Sequence, residues 1–139
     1  MRMPRPPASN PSVLRLRCPA QSQYVAPVRH ALAAFLRAHD FERQQLEDVT
    51  TAAGEALANI VEHAYVESSQ EVERYLELCA TIERNGRLGL EVYDGGSFIK
   101  RRPLAGRGFG LRIIRAIAAR LTIDTSNGTR LLMTFDRKR

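Results

Sequence analysis

The sequence encodes an α+β domain, a two-layer α/β sandwich in which a mixed, mostly antiparallel sheet is covered on one face by three helices. Apolar residues recur at three and four in three long segments, and they alternate with polar ones in the shorter segments between. Two pairs of alternating runs are joined by Asn-Gly, at Asn85-Gly86 and Asn127-Gly128, a dipeptide that marks hairpin turns. The resulting order is strand, helix, helix, strand, strand, helix, strand, strand, which suits one sheet with helices on a single side.

Each element has its own warrant. Val13 to Arg17 (V-L-R-L-R) alternates apolar and basic residues, the pattern of an edge strand with one inward face. From Val25 to His39 the apolar positions Val28, Leu32, Phe35 and Leu36 predict a helix, with Pro27 near the first turn, where a missing N–H costs nothing. After a break at Asp40, a longer helix is predicted from Glu42 to about Val66, with Leu46, Val49, Ala53, Leu57, Ile60 and Ala64 on its apolar side. Gly54 inside it costs about 1 kcal/mol relative to alanine and leaves room for a ligand or another backbone. Arg74 to Glu83 and Arg87 to Tyr93 form a hairpin, with Asn85-Gly86 fitting a type I′ turn. Gly108 to Leu121 is the third helix, carrying Leu111, Ile114, Ile117, Ala118 and Leu121 on one stripe. A last hairpin pairs Leu121 to Thr125 with Thr129 to Asp136.

The 139 residues are the length of one domain, here 12–139, preceded by a proline-rich lead over residues 1–11 that reads as disordered. That lead has no apolar stretch of a secretory signal, and no run long enough to span a membrane follows. Cys18 and Cys79 match neither a metal motif nor a disulfide framework, which suits a reducing cytoplasm.

Net charge is +6, but its distribution says more than its total. Gln44 to Glu73 holds seven acidic residues and no Lys or Arg, whereas Lys100 to Arg139 holds eleven basic residues and two acidic ones. A polyanionic nucleotide or a protein partner accounts for this as well as DNA does. The basic stretches carry no interleaved aromatics and the chain has no Trp, which argues against a stacking surface for nucleic acid.

The chemistry-bearing residues fall in three segments. E-A-L-A-N-I-V-E-H-A-Y, Glu55 to Tyr65, puts Glu55, Asn59, Glu62 and His63 on one side of a helix turning about 100° per residue. Leu57, Ile60, Val61 and Ala64 fill the other side. Taken alone, that is the pattern of an ordinary amphipathic surface helix. Asp94, at a strand end, is followed by Gly95-Gly96: a carboxylate accepts a hydrogen bond from an exocyclic amine, and residues without Cβ let a flat base approach. Gly106, Gly108 and Gly110, in G-R-G-F-G with Arg107 and Phe109, open the third helix and turn backbone N–H groups and the helix dipole toward a phosphate chain. Neither a dinucleotide fingerprint nor a Walker A motif is present.

In this order the segments resemble the N, G1 and G2 boxes of the Bergerat-type ATP-binding fold shared by gyrase, the MutL repair proteins and histidine kinases. In particular the chain resembles the stand-alone anti-sigma factor serine/threonine kinases, over about residues 12 to 137. The matching positions are Glu55, Asn59, His63, Ala64 and Tyr65, then Asp94 and Gly96, then Gly106, Gly108 and Gly110, and last the Gly-Thr of Gly128 and Thr129. The resemblance implies ATP and Mg²⁺ as cofactors, with Asn59 on the metal, Glu55 as the base that orients or deprotonates a protein hydroxyl, and Asp94 reading adenine. Arg107 either offsets phosphate charge or is a solvated loop arginine. His63 holds the loop after its helix, since no second His or Cys lies at ligand spacing. Implied partners are an anti-sigma factor antagonist of the STAS type and a sigma factor, for a homodimer in the cytoplasm.

One departure stands out. After Gly95-Gly96 only S-F-I-K-R-R-P-L-A separates Asp94 from Gly106, shorter than the family's usual lid. A short lid closes less completely over the phosphates, and exclusion of water favours transfer over hydrolysis. A non-catalytic ATP-binding interaction module of the same fold is therefore the alternative. Lys100, Arg101 and Arg102 either reach the triphosphate or form a solvated run.

Overall fold

The computed structural model describes residues 11–66, 74–94, 108–124 and 128–137, with the side chains of 63–66 and 108–110 outside that description. Strand β1 (Ser12–Pro19) leads through a 3-10 turn, Ser22–Tyr24, into α1 (Val25–Ala38) and α2 (Arg43–Val66). The hairpin β2 (Tyr75–Ile82) and β3 (Leu88–Asp94) follows, then α3 (Gly108–Ile117), β4 (Arg120–Asp124) and β5 (Arg130–Phe135).

The strands form one five-stranded sheet in the order β1-β2-β3-β5-β4. All four pairings are antiparallel. The parallel component of the expected mixed sheet survives only as a direction: β4 runs the same way as β3, but β5 lies between them. Strand parity then sorts the residues. Leu76, Leu78, Ala80 and Ile82 of β2, Leu88, Leu90 and Val92 of β3, and Leu131, Met133 and Phe135 of β5 are all buried beneath the helices. Alternate residues, including Arg15, Arg17, Glu77 and Glu91, line the uncovered face.

Helix α2 lies between α1 and α3 and packs on β2 and β3. Val49, Ala52, Ala53, Ala56, Leu57 and Ile60 are fully buried in it, and the run of alanines lets its neighbours approach closely. Helix α1 contributes Val28, Leu32 and Leu36. It ends where Asp40 takes a left-handed φ of 61° and the Phe41 N–H reaches back to Leu36 O at 3.1 Å. Arg137 completes that end: its Nη2 donates to His39 O at 2.6 Å and Asp40 O at 2.8 Å, while its guanidinium lies 4.5 Å over the Phe41 ring.

Three details differ from the sequence-based expectation. Helix α3 stops at Ile117, four residues short of Leu121. The Ala119 N–H has already joined the sheet, donating to Thr134 O at 2.8 Å, so Leu121 belongs to β4. The β2–β3 turn is not type I′, because Asn85 lies outside the left-handed region and only Gly86 has φ 88°. Glu83 O accepts from Gly86 N at 2.8 Å and Glu83 N donates to Arg87 O at 2.9 Å, which is the three-residue loop with a glycine bulge. Finally, the space beside Gly54 is filled by the Arg29 side chain, whose Cδ lies 3.0 Å from where a Cβ would stand.

Candidate nucleotide site

The inner face of the sheet is apolar until the strand ends, where three adjacent strands change character together. In β3 the buried series Leu88, Leu90, Val92 is continued by Asp94, itself only 3% exposed. The series ending at Leu131 in β5 is extended backwards by parity to Thr129, also buried. In β2 the series Ile82, Ala80, Leu78, Leu76 runs on to Arg74, one residue before the strand, and Arg74 too is buried. Cross-strand register sets Leu76 opposite Asp94, and the Asp94 N–H donates to Thr129 O at 2.9 Å. A cation, an anion and a hydroxyl thus share one end of the inner face.

Arg74 Nη1 donates to Asp94 Oδ2 at 3.2 Å, with the two side chains 6% and 1% exposed. Thr129 is preceded by Gly128 at φ 88°, and a Cβ there would stand 3.1 Å from Asp94 O. Only glycine fits both the dihedral and the contact.

Above this end lies α2. Glu55 is half-buried and Asn59, one turn on, is buried at 4%. Of the polar stripe, Asn59 is buried and Glu55 and Glu62 are half-buried, so this side of the helix is not the freely solvated face of a plain surface helix. The helix crosses β3, the strand that ends in Asp94, and packs on α3, whose first residues are Gly108, Phe109 and Gly110. The His63 backbone continues α2, and its side chain lies outside the described residues, as do Gly96, Lys100, Arg101, Arg102, Gly106 and Arg107.

Among the described residues, two buried polar atoms find no hydrogen-bond partner: Asn59 Nδ2 and Thr129 Oγ1. Buried side-chain amides and hydroxyls are usually satisfied, so each of these atoms calls for a partner such as a water, an ion or a ligand. Because amide N and O are assigned from the network, the open end of Asn59 serves as donor or, flipped, as acceptor. One neutral amide oxygen with phosphate oxygens and waters makes a Mg²⁺ site. Among the described residues no cluster of three or more His, Cys, Asp or Glu could hold a metal by protein ligands alone. The donor set fits a metal carried in by a nucleotide.

A separate depression of about 480 Å³ lies on the uncovered face, lined by Arg15, Arg17, Glu77, Glu91 and Tyr93 among others. It contains none of the residues named for the site. Two ion pairs involving its lining residues, Arg17–Glu77 and Glu91 with Arg130, both at 3.9 Å, are partly exposed and worth little each.

Sequence reasoning had not singled out Arg74. Its signal was available, since counting back by twos from Leu76 puts a basic residue on the inner face near Asp94.

Comparison with known proteins identifies the family and the fold. Residues 18–135 match the family described as histidine kinase-like ATPase domain. A serine-protein kinase RsbW of Bacillus thuringiensis strain Al Hakam is 30% identical over 137 residues, covering 87% of this chain and 82% of that protein. Another, from Bacillus cereus strain AH820, is 28% identical over 134 residues, with the same shares covered. The solved structure of the RsbU and RsbW domains of Rv1364c from Mycobacterium tuberculosis is similar with a TM-score of 0.72 at 20% identity, over 92% of this chain and 33% of that one. The histidine kinase domain of the blue-light activated kinase of Erythrobacter litoralis EL346 gives 0.51 at 15%, over 86% and 61%. At those identities the two structures speak to the fold alone. Taken with the residues at the strand ends and on α2, these matches show that the chain belongs to the histidine kinase-like ATPase domain family.

Proposed function

We propose that this protein binds ATP with Mg²⁺ and acts as an anti-sigma regulatory kinase, phosphorylating a serine or threonine of an anti-sigma factor antagonist and sequestering a sigma factor. The observation that carries the reading is the pair of buried, unpartnered groups, Asn59 Nδ2 and Thr129 Oγ1, in a chain 30% identical to a protein named as a serine-protein kinase. Both groups belong to family motifs.

In this reading Asn59 holds the metal. Asp94 and Thr129 take the base, the carboxylate accepting from an exocyclic amine and the hydroxyl completing the polar edge. By the family motif, Gly106, Gly108 and Gly110 would offer backbone N–H groups to the phosphates, Arg107 would offset their charge, Phe109 would bind the nucleotide and His63 would hold the loop beyond α2. ATP supplies the phosphoryl group when bound. Glu55 accepts the proton of the attacking hydroxyl, and its half-buried place one turn before Asn59 keeps it within reach of solvent and partner. We place the protein in the cytoplasm as a homodimer; no described helix is long and apolar enough to cross a membrane.

The test is to incubate the protein with Mg-ATP and the antagonist encoded beside it and to follow the antagonist's mass. A phosphate adduct that Glu55→Ala abolishes, while that variant still binds ATP, supports the kinase. ATP binding with no modification of any such antagonist leaves the non-catalytic module, the reading favoured by the short Asp94–Gly106 connection. Absence of ATP binding rejects both. Sedimentation of the purified protein at its dimer mass, or at half of it, decides the assembly.

A further inference from the structure

We infer that Arg74 is a positioning residue for base selection: it fixes the Asp94 carboxylate in the orientation that accepts a hydrogen bond from the exocyclic amine of a purine. The inference rests on the nucleotide reading above and adds to it a residue outside the family's motifs.

A buried arginine is costly to desolvate, and a buried ion pair is weak evidence for stability, since apolar side chains of similar size often serve as well. Arg74 therefore needs another reason to occupy the inner face. Its neighbours supply one: Asp94 at 3.2 Å, and beside Asp94 the unpartnered hydroxyl of Thr129. The pair lies at the one end of the inner face where polar groups converge.

The physics concerns the carboxylate plane. An aspartate's terminal torsion is broad and roughly two-fold, so backbone placement alone does not set which way its oxygens point. A guanidinium is rigid, planar and donor-only, and its N–H on Oδ2 fixes that torsion. Arg74 is itself anchored by the strand it precedes: the Ala20 N–H donates to Arg74 O at 2.8 Å, tying its backbone to the segment after β1. The carboxylate is then a set acceptor that rewards an amine and leaves a keto oxygen facing like charge. Compensation by the cation also makes this end of the site nearly neutral, suited to an uncharged heteroaromatic ring.

The test compares ATP with purine riboside triphosphate, which lacks the 6-amine, by calorimetry on the full chain. Wild type should prefer ATP about tenfold or more, the ordinary worth of a hydrogen bond to a charged acceptor. Arg74→Met should narrow the ratio to about threefold or less, with Arg74→Lys intermediate, because a lysine is a point donor without the planar fork. A variant that weakens both nucleotides equally, or that binds both more tightly because the cation had blocked the base, overturns the inference. If Arg74→Met gives no cooperative melt, Arg74→Lys decides, and an unchanged ratio there is equally fatal. Wild type that binds neither nucleotide rejects the ATP reading, and this inference with it. Wild type that discriminates while both variants keep its ratio rejects the role of Arg74 alone.

Discussion

Gly128→Ala offers a direct measure of how tightly the strand ends are drawn together. The residue has φ 88°, and its missing Cβ faces Asp94 O at 3.1 Å, a backbone atom that cannot rotate away. Left-handed backbone costs an L-residue about 1–2 kcal/mol, offset by about 0.4–1 kcal/mol through the less flexible unfolded chain. The forced shift of Asp94 adds to this, for a net loss of about 1–2 kcal/mol. Gly86→Ala is the internal control. It has the same φ of 88°, but its nearest neighbour at 3.1 Å is Arg137 Cδ, part of a flexible side chain. The control should lose about 0.5–1 kcal/mol from the dihedral alone. Urea unfolding followed by circular dichroism resolves the two, since slopes of about 1–3 kcal/mol/M convert these losses into midpoint shifts of several tenths of a molar. Titration with ATP should show weakened binding for Gly128→Ala and unchanged binding for Gly86→Ala. Equal midpoints for the two variants, or a Gly128→Ala variant as stable as wild type, would refute the reasoning.

Other outcomes follow from packing and burial. Ile114→Ala, at a fully buried position on α3, should lose about 2–5 kcal/mol in the same unfolding experiment, with nearly unchanged slope. Arg137→Met keeps contact with the Phe41 ring but removes the donors to His39 O and Asp40 O, and should cost about 1–3 kcal/mol. Burial pushes the Cys18 thiol above its ordinary range. Because the folded state then holds its proton longer than the unfolded chain, the contribution of Cys18 to stability is intact below the ordinary thiol range and declines as pH rises through it. Alkylation of Cys18 near pH 8 should accordingly run slower than that of a free cysteine, read by mass after quench.

Much of the architecture was legible because parity and periodicity are local. Leu88, Leu90 and Val92 alternate whatever pairs with them, and Val28, Leu32 and Leu36 fall on one stripe before any partner is known. What failed was decided elsewhere in the chain. Leu121 fits the α3 stripe, yet the end of that helix is set by Thr134, whose carbonyl captures the Ala119 N–H. Asn85-Gly86 is a permissive dipeptide, and the bulged turn sets the register between Ile82 and Leu88. Among the candidate residues, Glu55, Asn59, Asp94, Gly128 and Thr129 stand in motifs, whereas Arg74 belongs to none and needed the strand register to bring it to Asp94.

The insertion of β5 between β3 and β4 also orders events in time. β5 is the last described strand, yet it occupies an interior position, and Thr129, the residue just before it, supplies the carbonyl that accepts from the Asp94 N–H. In a nascent chain that has emerged only through β4, β3 has no β5 to pair with and its edge away from β2 stays open. The corner where Asp94 meets Thr129 therefore cannot close until β5 has emerged, and under the nucleotide reading proposed above, capture of ATP would report that the whole sheet has closed.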